Sequence, residues 1–178
     1  HFILVFIAMT IAMVVSIPLG IALTRYEKLA KPVLFVANVL QTIPSLAIFG
    51  FLIAIPFIGT GKVPAIIALF LYALLPLIRN TYVGILNVDP ALKEVGKGMG
   101  MTDWELLLQV EIPLALGVIL SGIRVATVIC IGITTIASAI GGGGLGDLIF
   151  RGISTLNYNY TLAGAIPAAL MALGADSL

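Results

Sequence analysis

Apolar residues run almost unbroken from Phe2 to Leu23, and the polar stretch Thr24-Arg25-Tyr26-Glu27-Lys28-Leu29-Ala30-Lys31-Pro32 that follows reads as a loop. Apolar runs resume from Pro32 to Phe57, from Val63 to Leu86, from Ile112 to Ile140 and from Tyr160 to Leu178. Each is close to the roughly 20 residues that a helix needs to cross a hydrocarbon core. The pattern therefore predicts an all-α transmembrane fold of about five spans, one membrane domain over residues 1–178. Pro18, Pro44, Pro56 and Pro76 fall inside these runs and are expected to kink them, because proline lacks an N–H and crowds the carbonyl four residues back. Gly59-Thr60-Gly61-Lys62 turns the chain between the second and third runs, and Gly141-Gly142-Gly143-Gly144-Leu145-Gly146-Asp147 ends the fourth. The first run lacks the basic leader of a signal peptide and reads as a true span. The chain opens on His1 rather than Met and stops at Leu178 within an apolar run, so both ends are expected to be trimmed.

Asn87 to Glu111 is the one long hydrophilic stretch, and its turn chemistry is specific. Asp89-Pro90 is a helix start, the carboxylate accepting from first-turn N–H groups and proline occupying the first helical position. Gly98 and Gly100 end that helix, since glycine adopts the left-handed conformation that closes one. Thr102-Asp103-Trp104-Glu105 has the residues of a capping box, which begins a second helix. Pro113 falls in the first turn of the next span, where a missing N–H costs little. Residues 89–111 thus encode a rigid helix-turn-helix elbow between the third and fourth spans, with small Gly96, Gly98 and Gly100 beside apolar Val95, Met99, Met101 and Trp104. Such a surface suits insertion into a cleft on another protein.

Composition agrees with this reading: of 178 residues, 61% are hydrophobic and 10% charged, against roughly 25% charged in a soluble domain. Lys and Arg fix the orientation, because they accumulate on the cytoplasmic side. Arg25, Lys28 and Lys31 follow the first span, and Lys93 and Lys97 lie in the elbow, against Lys62 and Arg151 on the other side. The first loop and the 87–111 segment are therefore expected in the cytoplasm, and five alternating spans meet both placements without a re-entrant loop. The net charge of +1 and the absence of a basic patch interleaved with aromatics argue against a nucleic-acid partner. No His, Cys or acidic set has metal-ligand spacing, and no catalytic set is present, so the chain reads as neither enzyme nor metalloprotein. The single Cys130 reads as a small buried apolar residue.

Glu94-Val95-Gly96, three residues, Gly100, nine residues and Val110-Glu111-Ile112-Pro113 resemble the cytoplasmic signature of ABC importer permeases, E-A-A-x3-G-x9-I-x-L-P, with the spacing kept at every element. Val95 and Gly96 replace the two alanines, Val110 the isoleucine and Ile112 the leucine. Gln41-Thr42-Ile43-Pro44-Ser45-Leu46-Ala47, Leu75-Pro76-Leu77-Ile78-Arg79-Asn80-Thr81-Tyr82, Gly98-Met99-Gly100-Met101-Thr102, Ser121-Gly122-Ile123-Arg124 and the Gly141–Gly146 run are similar to the osmoprotectant branch, whose members import glycine betaine, carnitine and choline. Ergothioneine importers are related to that branch. Gly117 stands where a proline is expected in it.

The resemblance implies an ATP-driven importer subunit in the cytoplasmic membrane. The elbow, through Glu94, Val95, Gly96, Lys97, Gly100, Met101 and Trp104, would dock in a separate ATP-binding cassette subunit, which binds ATP and Mg. No cofactor is expected in this chain: the Gly141–Gly146 run lacks the Gly-Lys-Ser/Thr ending of a phosphate loop. The other implied partners are a second permease copy, identical or homologous, an external binding protein or a receptor domain fused beyond Leu178, and membrane lipid. Two polar stripes inside the spans are candidates for the solute path: Asn38, Gln41, Thr42 and Ser45 in the second, and Arg124, Thr127, Thr134 and Ser138 in the fourth, where Gly122, Ala126 and Gly132 allow close helix approach. Helix packing is the competing reading of both, since small and hydroxyl residues commonly join membrane helices. With only scattered Phe and Tyr72 in the spans, selectivity for quaternary ammonium is expected mostly in the external binding protein. An ATP-independent channel or secondary transporter, or a purely structural membrane subunit, would leave the capped elbow without a purpose.

Overall fold

A computed structural model describes residues 1–177, and every regular element among them is helical. In chain order these are α1 (Phe2–Arg25), α2 (Glu27–Thr42), α3 (Ser45–Ala54), α4 (Lys62–Leu86), α5 (Pro90–Gly98), α6 (Asp103–Leu106), α7 (Ile112–Ala137), α8 (Leu145–Ser154) and α9 (Tyr158–Asp176). Among the described residues, three helices are long and apolar enough to cross a membrane: α1, α4 and the continuous rod Asp103–Ile140. The count reaches four if the α2–α3 pair is one broken span. The expected fifth is short of the mark, because α9 opens on Tyr158-Asn159-Tyr160 and is otherwise rich in Ala and Gly. Leu178, the end of that predicted run, lies outside the described residues.

The centre of the bundle is α1, α4 and α7. Leu4, Val5, Ala8, Met9 and Ala12 of α1 meet Ala65, Ala68, Leu69, Tyr72, Ala73 and Leu77 of α4 and Ala126, Cys130, Ile131 and Ala137 of α7. Without a strong hydrophobic drive inside lipid, close backbone approach supplies the association, and glycines mark the crossings. A Cβ on Gly20 would stand 2.7 Å from Thr81 Cβ, and one on Gly122 would stand 2.6 Å from Asn80 Cβ. Ala126 is fully buried at the same crossing, whereas Gly132 faces open space.

Three departures from the predicted pattern have local causes. The stretch read as a polar loop is mostly helix: only Tyr26 separates α1 from α2, and Pro32 lies within the second turn of α2, where it removes one ladder hydrogen bond, to the Lys28 carbonyl. The second apolar run does not cross straight, since α2 and α3 meet at 95° around Ile43 and Pro44. Pro44 forces extended backbone on Ile43 (φ −68, ψ 130), and the Tyr72 hydroxyl of α4 donates to the Ile43 carbonyl that the break exposes. Such a break inside lipid is tolerated where protein groups satisfy the freed backbone. The elbow's second helix does not stop before the span: α6 passes through one π-helical turn, Leu107–Glu111, directly into α7. That wider turn lies just ahead of Pro113, whose ring would otherwise crowd the Gln109 carbonyl.

Beyond Ile140, Gly141, Gly143 and Gly144 all have positive φ and carry the chain into α8, a helix that the sequence pattern did not predict. α8 and α9 form an antiparallel hairpin packed on α7, with Gly152 against Thr161 and Gly164 against the Leu145 carbonyl.

Candidate functional site

The elbow is built as its residues require. The Asp89 carboxylate accepts from the Ala91 N–H at 2.8 Å and caps α5, with Pro90 next to it. At the other end Gly100, at φ +86, closes a Schellman motif: its N–H donates to Lys97 O at 2.9 Å, and the Met101 N–H donates to Gly96 O at 3.1 Å. The Thr102 N–H and hydroxyl then donate to Glu105 Oε2 at 2.8 Å each, and the Glu105 N–H returns a bond to Thr102 Oγ1. These hydrogen bonds from Thr102 hold the Glu105 carboxyl below the usual carboxylate range.

α5 and α6 touch at Gly96, where an added Cβ would stand 2.7 Å from Leu106 Cδ1 and 3.2 Å from Met101 Sδ. Gly96 is buried and Met101 half-buried, so these two hold the elbow together. Glu94, Val95, Lys97, Met99, Gly100 and Trp104 all face outward. Exposed Val95, Met99 and Trp104 on one small unit form the kind of apolar patch, rimmed by charge, that marks a protein contact.

The residue that sequence reasoning missed joins this elbow to the bundle. Glu111, in the π-turn at the root of α7, is fully buried. Its Oε2 lies 2.5 Å from Arg25 Nη2 at the end of α1, and its Oε1 lies 3.4 Å from Lys93 Nζ of α5. Lys93 also donates to the Ile85 carbonyl at the end of α4, at 3.1 Å. The Glu111 carboxylate thus sets the end of α1 beside the elbow, and Lys93 ties the elbow in turn to the end of α4. Its signal in the sequence was a lone acid in the apolar context Val110-Glu111-Ile112.

The two polar stripes meet different surroundings. Asn38, Gln41 and Thr42 lie on α2, but Ser45 lies past the bend on α3. Asn38 and Thr42 are exposed, Gln41 and Ser45 half-buried, and the Thr42 hydroxyl donates to Val39 O. On α7, Thr127 donates to Ile123 O and Thr134 to Cys130 O, and in the 3-10 turn just past it Ser138 donates to Thr135 O, so each of these hydroxyls gives its proton to the backbone carbonyl of the preceding turn as a hydrogen bond. Thr134 and Ser138 are also buried, Ser138 against Gly146 of α8. Arg124 donates to the Asp176 carbonyl at 3.0 Å. Gln41 alone of the eight reaches a sizeable space with other polar side chains, a mostly apolar cavity of about 560 Å³ between α2, α4 and α7 that Arg79 and Asn80 also line.

The site is thus a capped helix-turn-helix rooted through Glu111 in an apolar helical bundle. Residues 3–178 match the family described as binding-protein-dependent transport system inner membrane component, and the chain belongs to that family. It is thus a non-catalytic permease of the membrane, whose family implies an ATPase, a substrate-binding protein and a paired permease. The chain is 50% identical over 99% of its length, and 80% of the relative's, to the glycine betaine/carnitine/choline transport system permease protein OpuCB of Bacillus subtilis. It is 52% identical to the carnitine transport permease protein OpuCB of Listeria monocytogenes, over 93% of this chain and 75% of that one. The osmoprotectant import permease protein OsmW of Salmonella typhimurium is 45% identical over 100% of this chain and 84% of its own. Among solved structures, an inward-facing form of the MetNI methionine ABC transporter superposes with a TM-score of 0.79 at 21% identity, covering 98% of this chain and 88% of that one, a likeness of fold.

Proposed function

We propose that this permease moves small quaternary ammonium osmoprotectants, of the glycine betaine, carnitine and choline kind, into the cell. The substrate class is supported by the names of relatives 45–52% identical over at least 93% of the chain. The observation that carries the mechanism is the elbow: capped at both helices and braced by Glu111, it presents Val95, Met99 and Trp104 outward with no use for them in its own packing. Glu94, Val95, Lys97, Gly100 and Trp104 form the docking face for an ATP-binding cassette subunit, which holds ATP and Mg; Gly96 and Met101 set its shape. The elbow and the end of α1 lie in the cytoplasm, in keeping with Arg25, Lys28, Lys31, Lys93 and Lys97. A second permease copy closes the path, which on this chain runs past the polar end of α2 at Asn38 and Gln41 and along Thr42 and Ser45. The hydroxyls of Thr127, Thr134 and Ser138 and the guanidinium of Arg124 serve helix packing instead. An external binding protein delivers the solute.

Reconstitution with the cognate ATPase and binding protein in proteoliposomes tests this reading. ATP-dependent uptake of at least one of glycine betaine, carnitine and choline is expected. Trp104→Ala should weaken ATPase docking about tenfold or more, as loss of a central aromatic anchor does, without lowering the melting temperature of the permease. Uptake that persists without the ATPase, or a Trp104→Ala permease that binds it as before, contradicts the proposal.

A further inference from the structure

The cavity between α2, α4 and α7 contains a cation that the described chain leaves unused. Both ion pairs among the described residues are made by Arg25 and Lys93. Arg79 has no carboxylate or other acceptor among the described residues, is exposed, and lines this space of about 560 Å³. It stands seven residues before the end of α4 at Leu86, about 10 Å of helix rise, and so within a hydrocarbon core about 30 Å thick. A guanidinium at that depth faces a wet cavity and a functional partner far more often than lipid.

The other groups around it narrow what that partner is. The Asn80 amide spends one of its two N–H groups on Pro76 O at 2.8 Å. The polar side chains of the cavity that make no hydrogen bond among the described residues are the Arg79 guanidinium and the Gln41 carboxamide, set in walls of Leu75, Val83, Val125 and Ile129. Among the described residues no acidic side chain lines the cavity, so its potential is positive, and no aromatic ring lines it, so it offers an ammonium group no π-face. A planar guanidinium fork matches a carboxylate in bidentate fashion. The size suits a small molecule.

We propose that Arg79, assisted by Gln41, is the transient binding point for the carboxylate of a zwitterionic solute crossing the membrane. The permease itself then favours carboxylated betaines over choline, which has no carboxylate and meets only like charge at Arg79. This inference rests on the osmoprotectant reading above. Water in the open cavity keeps the pair weak enough to release.

The test uses the complete transporter of permease, ATPase and binding protein in proteoliposomes, with labelled glycine betaine and choline, and reads each variant's uptake ratio against that of the unaltered protein. That normalisation removes the binding protein's own preference. Arg79→Gln should lower the betaine-to-choline ratio at least tenfold, with choline uptake held or raised, and Arg79→Lys should lower it less. Val125→Asp, which sets a competing carboxylate on the facing wall, should shift the ratio the same way and decides the matter if Arg79→Gln does not assemble. Parallel loss of both solutes, an unchanged ratio, or transport of choline alone by the unaltered protein overturns the inference. Uptake of neither solute by the unaltered transporter overturns the osmoprotectant reading itself, and this inference with it.

Discussion

The Arg25 guanidinium grips the Glu111 carboxylate with both terminal nitrogens, Nη2 to Oε2 at 2.5 Å and Nη1 to Oε1 at 3.3 Å, across 86 positions of sequence. The partners differ in their access to water: the Glu111 side chain is 1% exposed, that of Arg25 42% and that of Lys93 23%. Removing the acid frees two cations that can reach solvent, while removing both cations strands a buried carboxylate. Glu111→Gln should therefore cost about 1–3 kcal/mol, and the Arg25→Met, Lys93→Met double variant about 3–5 kcal/mol. Thermal unfolding of the purified permease in detergent compares the two, and equal losses would refute the asymmetry.

Gly98 and Gly100 lie two positions apart and should respond oppositely to alanine. Gly98 is helical with open space around it, so Gly98→Ala should stabilise α5 by about 0.5–1 kcal/mol. Gly100 also has open space but sits at φ +86, so Gly100→Ala should cost about 1–2 kcal/mol. Hydrogen exchange of the α5 amides reads both effects locally.

Tyr72 supplies the hydroxyl that satisfies Ile43 O where α2 bends into α3. Tyr72→Phe keeps the ring and leaves that carbonyl without its donor, at an expected cost of about 1–3 kcal/mol. The melting temperature should fall accordingly, and a melt indistinguishable from that of the unaltered protein would show that the break is held by other means.

The capping box makes the elbow sensitive to acid. Glu105 is held below the usual carboxylate range by Thr102. A depressed folded-state pKa means that the stabilisation is complete above the ordinary carboxylate value and disappears as pH falls through the lowered one. The emission of neighbouring Trp104 should accordingly stay constant from neutral pH down to the ordinary carboxylate range and change below it. Glu105→Gln should abolish that step.

Much of this was legible in the chain. Asp89-Pro90, Gly100 and the Thr102–Glu105 box each specify a backbone state through local hydrogen bonds, and each formed as expected. What could not be read depended on partners distant in sequence. The stripe rule joined Ser45 to Asn38 because hydropathy is blind to a 95° bend at Pro44. α8 was hidden because the glycine run that reaches Gly146 read only as a break, whereas the missing side chains of Gly146 and Gly152 admit α7 and α9. Glu111 drew no attention because its cations lie on α1 and α5. Hydroxyls within an apolar helix suggest a water path and intrahelical bonding equally, and at Thr134 it is the Cys130 carbonyl that accepts the hydrogen bond.

The unbroken passage from α6 through the π-turn into α7 makes residues Asp103–Ile140 a single rod of 38 residues, about 57 Å long at 1.5 Å per residue. Trp104 lies at one tip, and at the other the Ile140 carbonyl accepts the Gly61 N–H at the head of α4, at 2.8 Å. Leverage follows from the length alone: a tilt of about 5° about the Trp104 end carries the Ile140 end some 5 Å sideways. A slight rocking at one end of the rod is thereby amplified into a displacement wider than a water molecule at the other.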